Sequence, residues 1–129
     1  MVRDPRVVYL GGPIDLSGSD VFHQTVDWEG MGLTAYCPRC ECRGLTDGQC
    51  IEQNMLMVRE AWLAVFNLTS HTIGTPIEMF LRCWIHQKPA IIIGEEKSLF
   101  IRETNSRFKT EVVPSLGHAV ARIKEISNG

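Results

Sequence analysis

Two short segments of this chain gather residue types from which a reactive cleft can be built. The first runs Val8-Tyr9-Leu10-Gly11-Gly12-Pro13-Ile14-Asp15. Adjacent glycines let a ligand approach the backbone closely and leave N–H groups free to hold an anion. The second runs Thr72-Ile73-Gly74-Thr75-Pro76-Ile77-Glu78. Pro76 suits the first turn of a helix and Thr75 suits its cap. Glu78 then falls in that first turn, where the helix dipole favours an ionised carboxylate. An ionised carboxylate is what a nucleophile or a general base needs. The same residues have plainer uses, because a first-turn glutamate stabilises any helix and an aspartate at position 15 can simply form a turn. The residue types alone leave both readings open.

A third cluster is made of cysteines. Cys37-Pro38-Arg39-Cys40 has the spacing of a metal knuckle, and Cys42 and Cys50 supply two further ligands for a tetrahedral zinc. Such a zinc is structural, since four thiolates leave no open coordination position. It would order a loop with too few apolar residues to pack itself. Free thiols are the alternative. Five cysteines, an odd number, in a chain without an export signal argue against a disulfide framework. Cys83 stands apart and reads as a core residue.

These residues need elements to position them. Residues 6–10 form an apolar run closed by Gly-Gly-Pro, the pattern of a buried strand and a tight loop. Residues 33–36, 61–66 and 90–93 repeat the pattern, and residues 111–113 offer a fifth strand. Helical phasing spans residues 50–59, with Ile51, Met55 and Val58 on one face, and residues 116–126, capped by Ser115. Residues 17–30 can hold a helix, and another runs from about Pro76 to Ile85. Residues 37–48 read as irregular, and residues 95–109 as a polar loop with room for a short helix or strand. Alternating strands and helices predict a single α/β domain over residues 1–129. Its expected architecture is a Rossmann/flavodoxin-like three-layer sandwich with a mostly parallel sheet of four or five strands. Ligands in such sheets bind beyond the strands' carboxyl ends, where strand order reverses. Residues 11–19, 37–50 and 67–75 are the loops expected to meet there.

Composition narrows the partners. Hydrophobic residues make up 44% and charged residues 22%, as in ordinary soluble domains. The net charge of −2 and the lack of a basic stripe argue against nucleic-acid and membrane surfaces. No apolar stretch approaches the roughly 18 residues of a membrane span. The first residues do not read as a signal peptide, which leaves a cytoplasmic location as the expectation.

A strand ending in Tyr-Leu-Gly-Gly-Pro-Ile-Asp, followed later by a strand, a Gly-Thr-Pro-x-Glu turn and a helix, resembles the nucleoside 2-deoxyribosyltransferase superfamily. That group includes nucleoside 5′-monophosphate N-glycosidases, and the resemblance spans residues 7–93. It implies that Glu78 is the nucleophile that attacks the anomeric carbon and forms a glycosyl-enzyme intermediate. An anionic carboxylate also suits the oxocarbenium-like transition state. The resemblance further implies that Tyr9 orients Glu78 and that Gly11, Gly12, Gly74 and Thr75 line the sugar or phosphate. It places Asp15 near the ribose or base and Asn54 near a position that handles the base. The transferases carry an aspartate six residues before the nucleophile, where this chain has Thr72. A hydroxyl there, with Ser70 nearby, suits a phosphate that a carboxylate would repel, which favours a 5′-monophosphate.

The implied activity is cleavage or transfer at an N-glycosidic bond, as a hydrolase or a transferase of nucleotide metabolism. It requires no cofactor beyond the possible structural zinc. A homodimer or larger homo-oligomer is expected, with Trp62, Phe80 and Trp84 as interface or core residues. Two other functions remain open at this stage: a non-catalytic nucleotide-binding protein of the same fold, and a zinc-stabilised interaction module.

Overall fold

The structure is a computed structural model that describes residues 6–12, 26–68, 74–94 and 98–128. Five strands form one sheet: β1 (Arg6–Gly11), β2 (Leu33–Tyr36), β3 (Leu63–Asn67), β4 (Ala90–Ile93) and β5 (Thr110–Val113). Their order is β2-β1-β3-β4-β5 and every pairing is parallel. This is the flavodoxin-like order, with its switch point between β1 and β3. Residues 33–36 and 90–93 form strands as the sequence pattern predicts. The third strand begins at Leu63 and not at Ala61, because Ala61 closes the preceding helix through its N–H to the Met57 carbonyl.

Successive residues of each strand point to opposite faces, so the apolar runs feed two cores at once. Val8, Leu10, Leu63, Val65, Ile91 and Ile93 pack with Trp28, Ala119 and Ile123 on one face. Tyr9, Ala64, Phe66, Ala90 and Ile92 pack with Val58, Met79 and Cys83 on the other. The helices are α1 (Pro38–Glu41), α2 (Asp47–Glu60), α3 (Gly74–Phe80), α4 (Leu99–Arg107) and α5 (Leu116–Asn128). A single 3₁₀ turn, Glu29–Met31, precedes β2. Helix α5 covers the first face, while α2 and α3 cover the second. No described helix is long and apolar enough to cross a membrane.

Two segments take definite form. The segment read as a polar loop with room for a short helix or strand holds the helix α4, started by the Ser98 side chain accepting from the Phe100 N–H. What fixes α4 is Trp84, which stacks on Phe100 at 5.7 Å and donates from its indole N–H to Thr104 at 2.8 Å. Polarity in the sequence hid one apolar anchor. The segment read as irregular holds α1 and the start of α2. A capping box sets that start: Thr46 Oγ1 accepts from the Gln49 N–H, and the Gln49 side chain accepts from the Thr46 N–H. Of the two remaining aromatics expected at an interface or in the core, Trp62 is half-buried beneath the Arg6 guanidinium at 4.6 Å. Phe80 remains exposed.

Helix α3 does not end at Phe80 but widens into a π turn, Leu81–Ile85, marked by the His86 N–H to Leu81 carbonyl bond of 2.8 Å. Arg82 and Cys83 are both fully buried, on the helix face shared with Thr75 and Met79.

Candidate active site

Tyr9 is the fourth of the six residues of β1 and faces the α2/α3 side of the sheet, with no exposed surface. Its ring stacks on Tyr36 at 5.4 Å and leans on Phe66 at 6.2 Å. Tyr9 and Tyr36 are register partners across the β1–β2 ladder, which is why the rings stand side by side. Held this way, the Tyr9 hydroxyl donates to Oε2 of Glu78. A residue of the first strand and a residue of the third helix therefore meet, 69 positions apart in sequence.

Glu78 is half-buried in the second turn's worth of α3, above Gly74. A side chain at Gly74 would come within 3.7 Å of Glu78 Oε1, so the glycine keeps that side of the carboxylate uncovered. Burial pushes the Glu78 carboxyl up from its ordinary value of 4.5 to about 7. The sequence reading expected the helix dipole to hold this acid ionised. Desolvation is the larger effect here, and the Tyr9 hydroxyl works against it by bonding to the charged form. Tyr9→Phe is therefore expected to raise the Glu78 carboxyl further above about 7, because a hydrogen bond to the charged form is lost. Carboxyl-carbon NMR titration of labelled glutamate measures the change, and an unmoved titration would remove Tyr9 from its assigned role.

Gly11 and Gly12 sit at the carboxyl end of β1, on the switch-point side of the sheet. A side chain on Gly11 would strike the Phe66 ring at 2.7 Å, so this buried glycine is set first by packing between β1 and β3. Gly12 is half-buried, and a side chain there would press on Asn67 Cβ at 3.2 Å. Thr75 does not cap α3 from outside: it is buried within the helix, which begins at Gly74. Asp15, Ser70 and Thr72 lie outside the described residues.

Asn54 is near the site, but both ends of its amide are engaged. Its Oδ1 accepts from the Tyr36 hydroxyl at 2.9 Å, and its Nδ2 faces Cys50 Sγ at 3.5 Å. Gln53 Nε2 also donates to the Tyr36 hydroxyl at 3.0 Å. Tyr36 and Gln53 escaped the sequence reading. The available signal was positional: a second tyrosine ends the strand that pairs in parallel with the one carrying Tyr9.

In this structure the cysteine cluster does not present four thiolates. Cys42 and Cys50 form a disulfide, which removes both sulfurs from service as thiolate ligands, while Cys37 and Cys40 remain thiols. Among the described residues no group of three or more histidine, cysteine, aspartate or glutamate side chains is placed to hold a metal ion. The odd cysteine count misled the reading against disulfides, because a single pair within one loop needs no framework.

The described arrangement is a half-buried carboxylate near neutrality, aimed by a buried phenol, at the carboxyl end of a doubly wound sheet. It can deliver an anionic oxygen to an electrophilic carbon from a partly desolvated position. No family model and no curated protein matches the chain. Among solved structures it is similar to that of a CMP N-glycosidase, BcmB, from Clostridium botulinum. The TM-score is 0.63 with 15% sequence identity, over 91% of this chain and 97% of that one. At that identity the likeness establishes a common fold.

Proposed function

We propose that this protein cleaves the N-glycosidic bond of a nucleoside 5′-monophosphate, with Glu78 as nucleophile. The observation that carries the reading is the Tyr9–Glu78 pair at the switch point of the sheet. One carboxylate oxygen attacks C1′ of the sugar, and the C1′–N bond breaks with its electron pair leaving on the base. The glycosyl ester that results is released by water, which returns the carboxylate. Tyr9 holds Glu78 in place through its hydroxyl on Oε2, while Oε1, which takes no hydrogen bond from the described residues, is the oxygen that attacks. The Gly12 end of β1 supplies room for the phosphate, and Thr72 and Ser70 are the hydroxyl donors proposed to bind it. The fold shared with a CMP N-glycosidase makes CMP the first substrate to offer.

The test is incubation with CMP, dCMP, UMP and dGMP, with chromatography for free base and intact mass for a trapped glycosyl-enzyme. Since Glu78 must be ionised to attack, and its carboxyl sits at about 7, base release is expected to climb between about pH 6 and pH 8. A rate that instead falls across that window would exclude an ionised Glu78 as the attacking group. Nucleotide binding seen by calorimetry without any base release would replace the enzyme with a binding protein.

A further inference from the structure

The chain contains a route from the Cys42–Cys50 disulfide to the candidate nucleophile. The disulfide's sulfurs lie against the two ends of one side chain, with Asn54 Nδ2 3.5 Å from Cys50 Sγ and Asn54 Oδ1 3.7 Å from Cys42 Sγ. That same Oδ1 takes the Tyr36 hydroxyl, the Tyr36 ring stacks on Tyr9, and Tyr9 bonds Glu78. Each link is a direct contact, and no flexible surface side chain intervenes. Burial also holds the Tyr36 phenol above its ordinary value, so it stays a neutral donor.

A disulfide serving only as a staple would be expected where the chain lacks another fixture. Here α2 already has one, since the Thr46–Gln49 capping box closes its first turn independently of sulfur. Opening the disulfide therefore leaves α2 in place and releases the residues packed on the sulfurs. Both cysteines are half-buried, within reach of a small dithiol.

We propose that the Cys42–Cys50 disulfide is a redox control on this site, which holds Tyr36 as a positioning residue for the Tyr9–Glu78 pair when oxidised and frees it when reduced. The control of catalysis rests on the glycosidase reading, whereas the coupling of sulfur to tyrosine does not. The reductant is a dithiol. One of its thiolates attacks a sulfur of the pair, forming a mixed disulfide and releasing the other cysteine as a thiolate. Its second thiol then displaces the remaining cysteine. Two electrons and two protons pass to Cys42 and Cys50, and the dithiol closes to its own disulfide.

The chain has two tyrosines, and both belong to this route. Ring-labelled tyrosine NMR of the full chain therefore reports on it directly, with dithiothreitol as the reductant. Reduction is expected to shift both tyrosine ring signals while thermal unfolding stays cooperative. The C42S/C50S double variant should show the reduced spectrum and ignore dithiothreitol. Asn54→Leu, which keeps the disulfide but cuts the link, should show a reduced-like spectrum in the oxidised chain. CMP cleavage should lose about ten- to a hundredfold in kcat on reduction with little change in KM, as misplacement of a reacting group predicts. Tyrosine signals that ignore reduction, or a double variant that still responds to it, would overturn the proposal. Tyrosine signals that respond while neither redox form cleaves any nucleotide would uphold the coupling and remove the glycosidase reading.

Discussion

Glu78→Gln is expected to abolish base release and, at alkaline pH, to make the protein harder to unfold. The amide keeps the shape of the side chain and can still accept the Tyr9 hydroxyl, so the geometry survives. It cannot attack C1′, and the loss of a nucleophile costs at least about 10³-fold in kcat. The gain in stability follows from burial. A carboxyl that titrates at about 7 when folded and at 4.5 when free binds its proton more tightly in the folded state. Wild type therefore has the full benefit of a neutral Glu78 below about pH 4.5 and loses it as pH rises through about 7. The difference corresponds to about 3 kcal/mol at pH 8. Urea unfolding of the two proteins should then coincide near pH 4, diverge between about pH 5 and pH 7, and remain apart above that, with the variant more stable. A variant less stable than wild type at pH 8 would mean that the carboxylate is well solvated or paired, and the candidate site would lose its central feature. Destabilising ionisation at a proposed nucleophile is the expected signature of a site kept reactive at the expense of the fold.

The sheet was legible from sequence because it is read on both faces. Runs such as Ala90-Ile91-Ile92-Ile93 have no polar residue to spare and admit no other placement than a central parallel strand. Glu78 and Tyr9 were legible as residue types at strand and helix ends, yet their contact was not, since nothing local links positions so far apart. The acidity of Glu78 was misjudged for a related reason. The helix dipole is visible in a local pattern, whereas desolvation depends on what the rest of the chain packs around the carboxyl. The disulfide was missed because pairing is a matter of backbone approach, and the turn that leads from Cys42 toward Cys50 closes through the Leu45 N–H to the Cys42 carbonyl, with Gly44 at a positive φ. Arg82 was the largest omission. In sequence it is one charged residue on a helix, which reads as solvated, although its spacing from Thr75 and Met79 puts it on the buried face.

Arg82→Leu is expected to be among the most destabilising single substitutions in the chain. Arg82 is fully buried, and no carboxylate among the described residues pairs with it. Its Nε and Nη2 donate to the Pro89 carbonyl at 3.0 and 2.8 Å, and its Nη1 donates to the Val58 and Ala61 carbonyls at 3.0 and 2.7 Å. Val58 and Ala61 belong to the last turn and cap of α2, where the helix dipole places negative charge, so the guanidinium finds its counterpart in backbone. Lys88 adds a second cation at the same helix end through the Arg59 carbonyl. Burial lowers the Arg82 guanidinium to about 10, which leaves it charged throughout the neutral range. Leucine would fill much of the volume but abandon the Val58 and Ala61 carbonyls, which are buried away from water, along with the part-buried Pro89 carbonyl. That orphaning is what separates this residue from a buried ion pair, whose two members can be replaced together without loss. The expected cost is about 3–5 kcal/mol, a large part of the stability of an ordinary domain. The urea midpoint should fall by about 2 M with an unchanged slope. Arg82→Lys should fall between the two, since an ammonium keeps the charge and reaches some of the carbonyls but lacks the planar fork. Because the clamp joins α2 and the entry to β4 to the helix that carries Glu78, the lysine variant should retain base release within about tenfold at temperatures where it stays folded. An Arg82→Leu protein within about 1 kcal/mol of wild type would show instead that these carbonyls find other donors, and that α3 is held in register by the apolar contacts of Met79 and Cys83 alone.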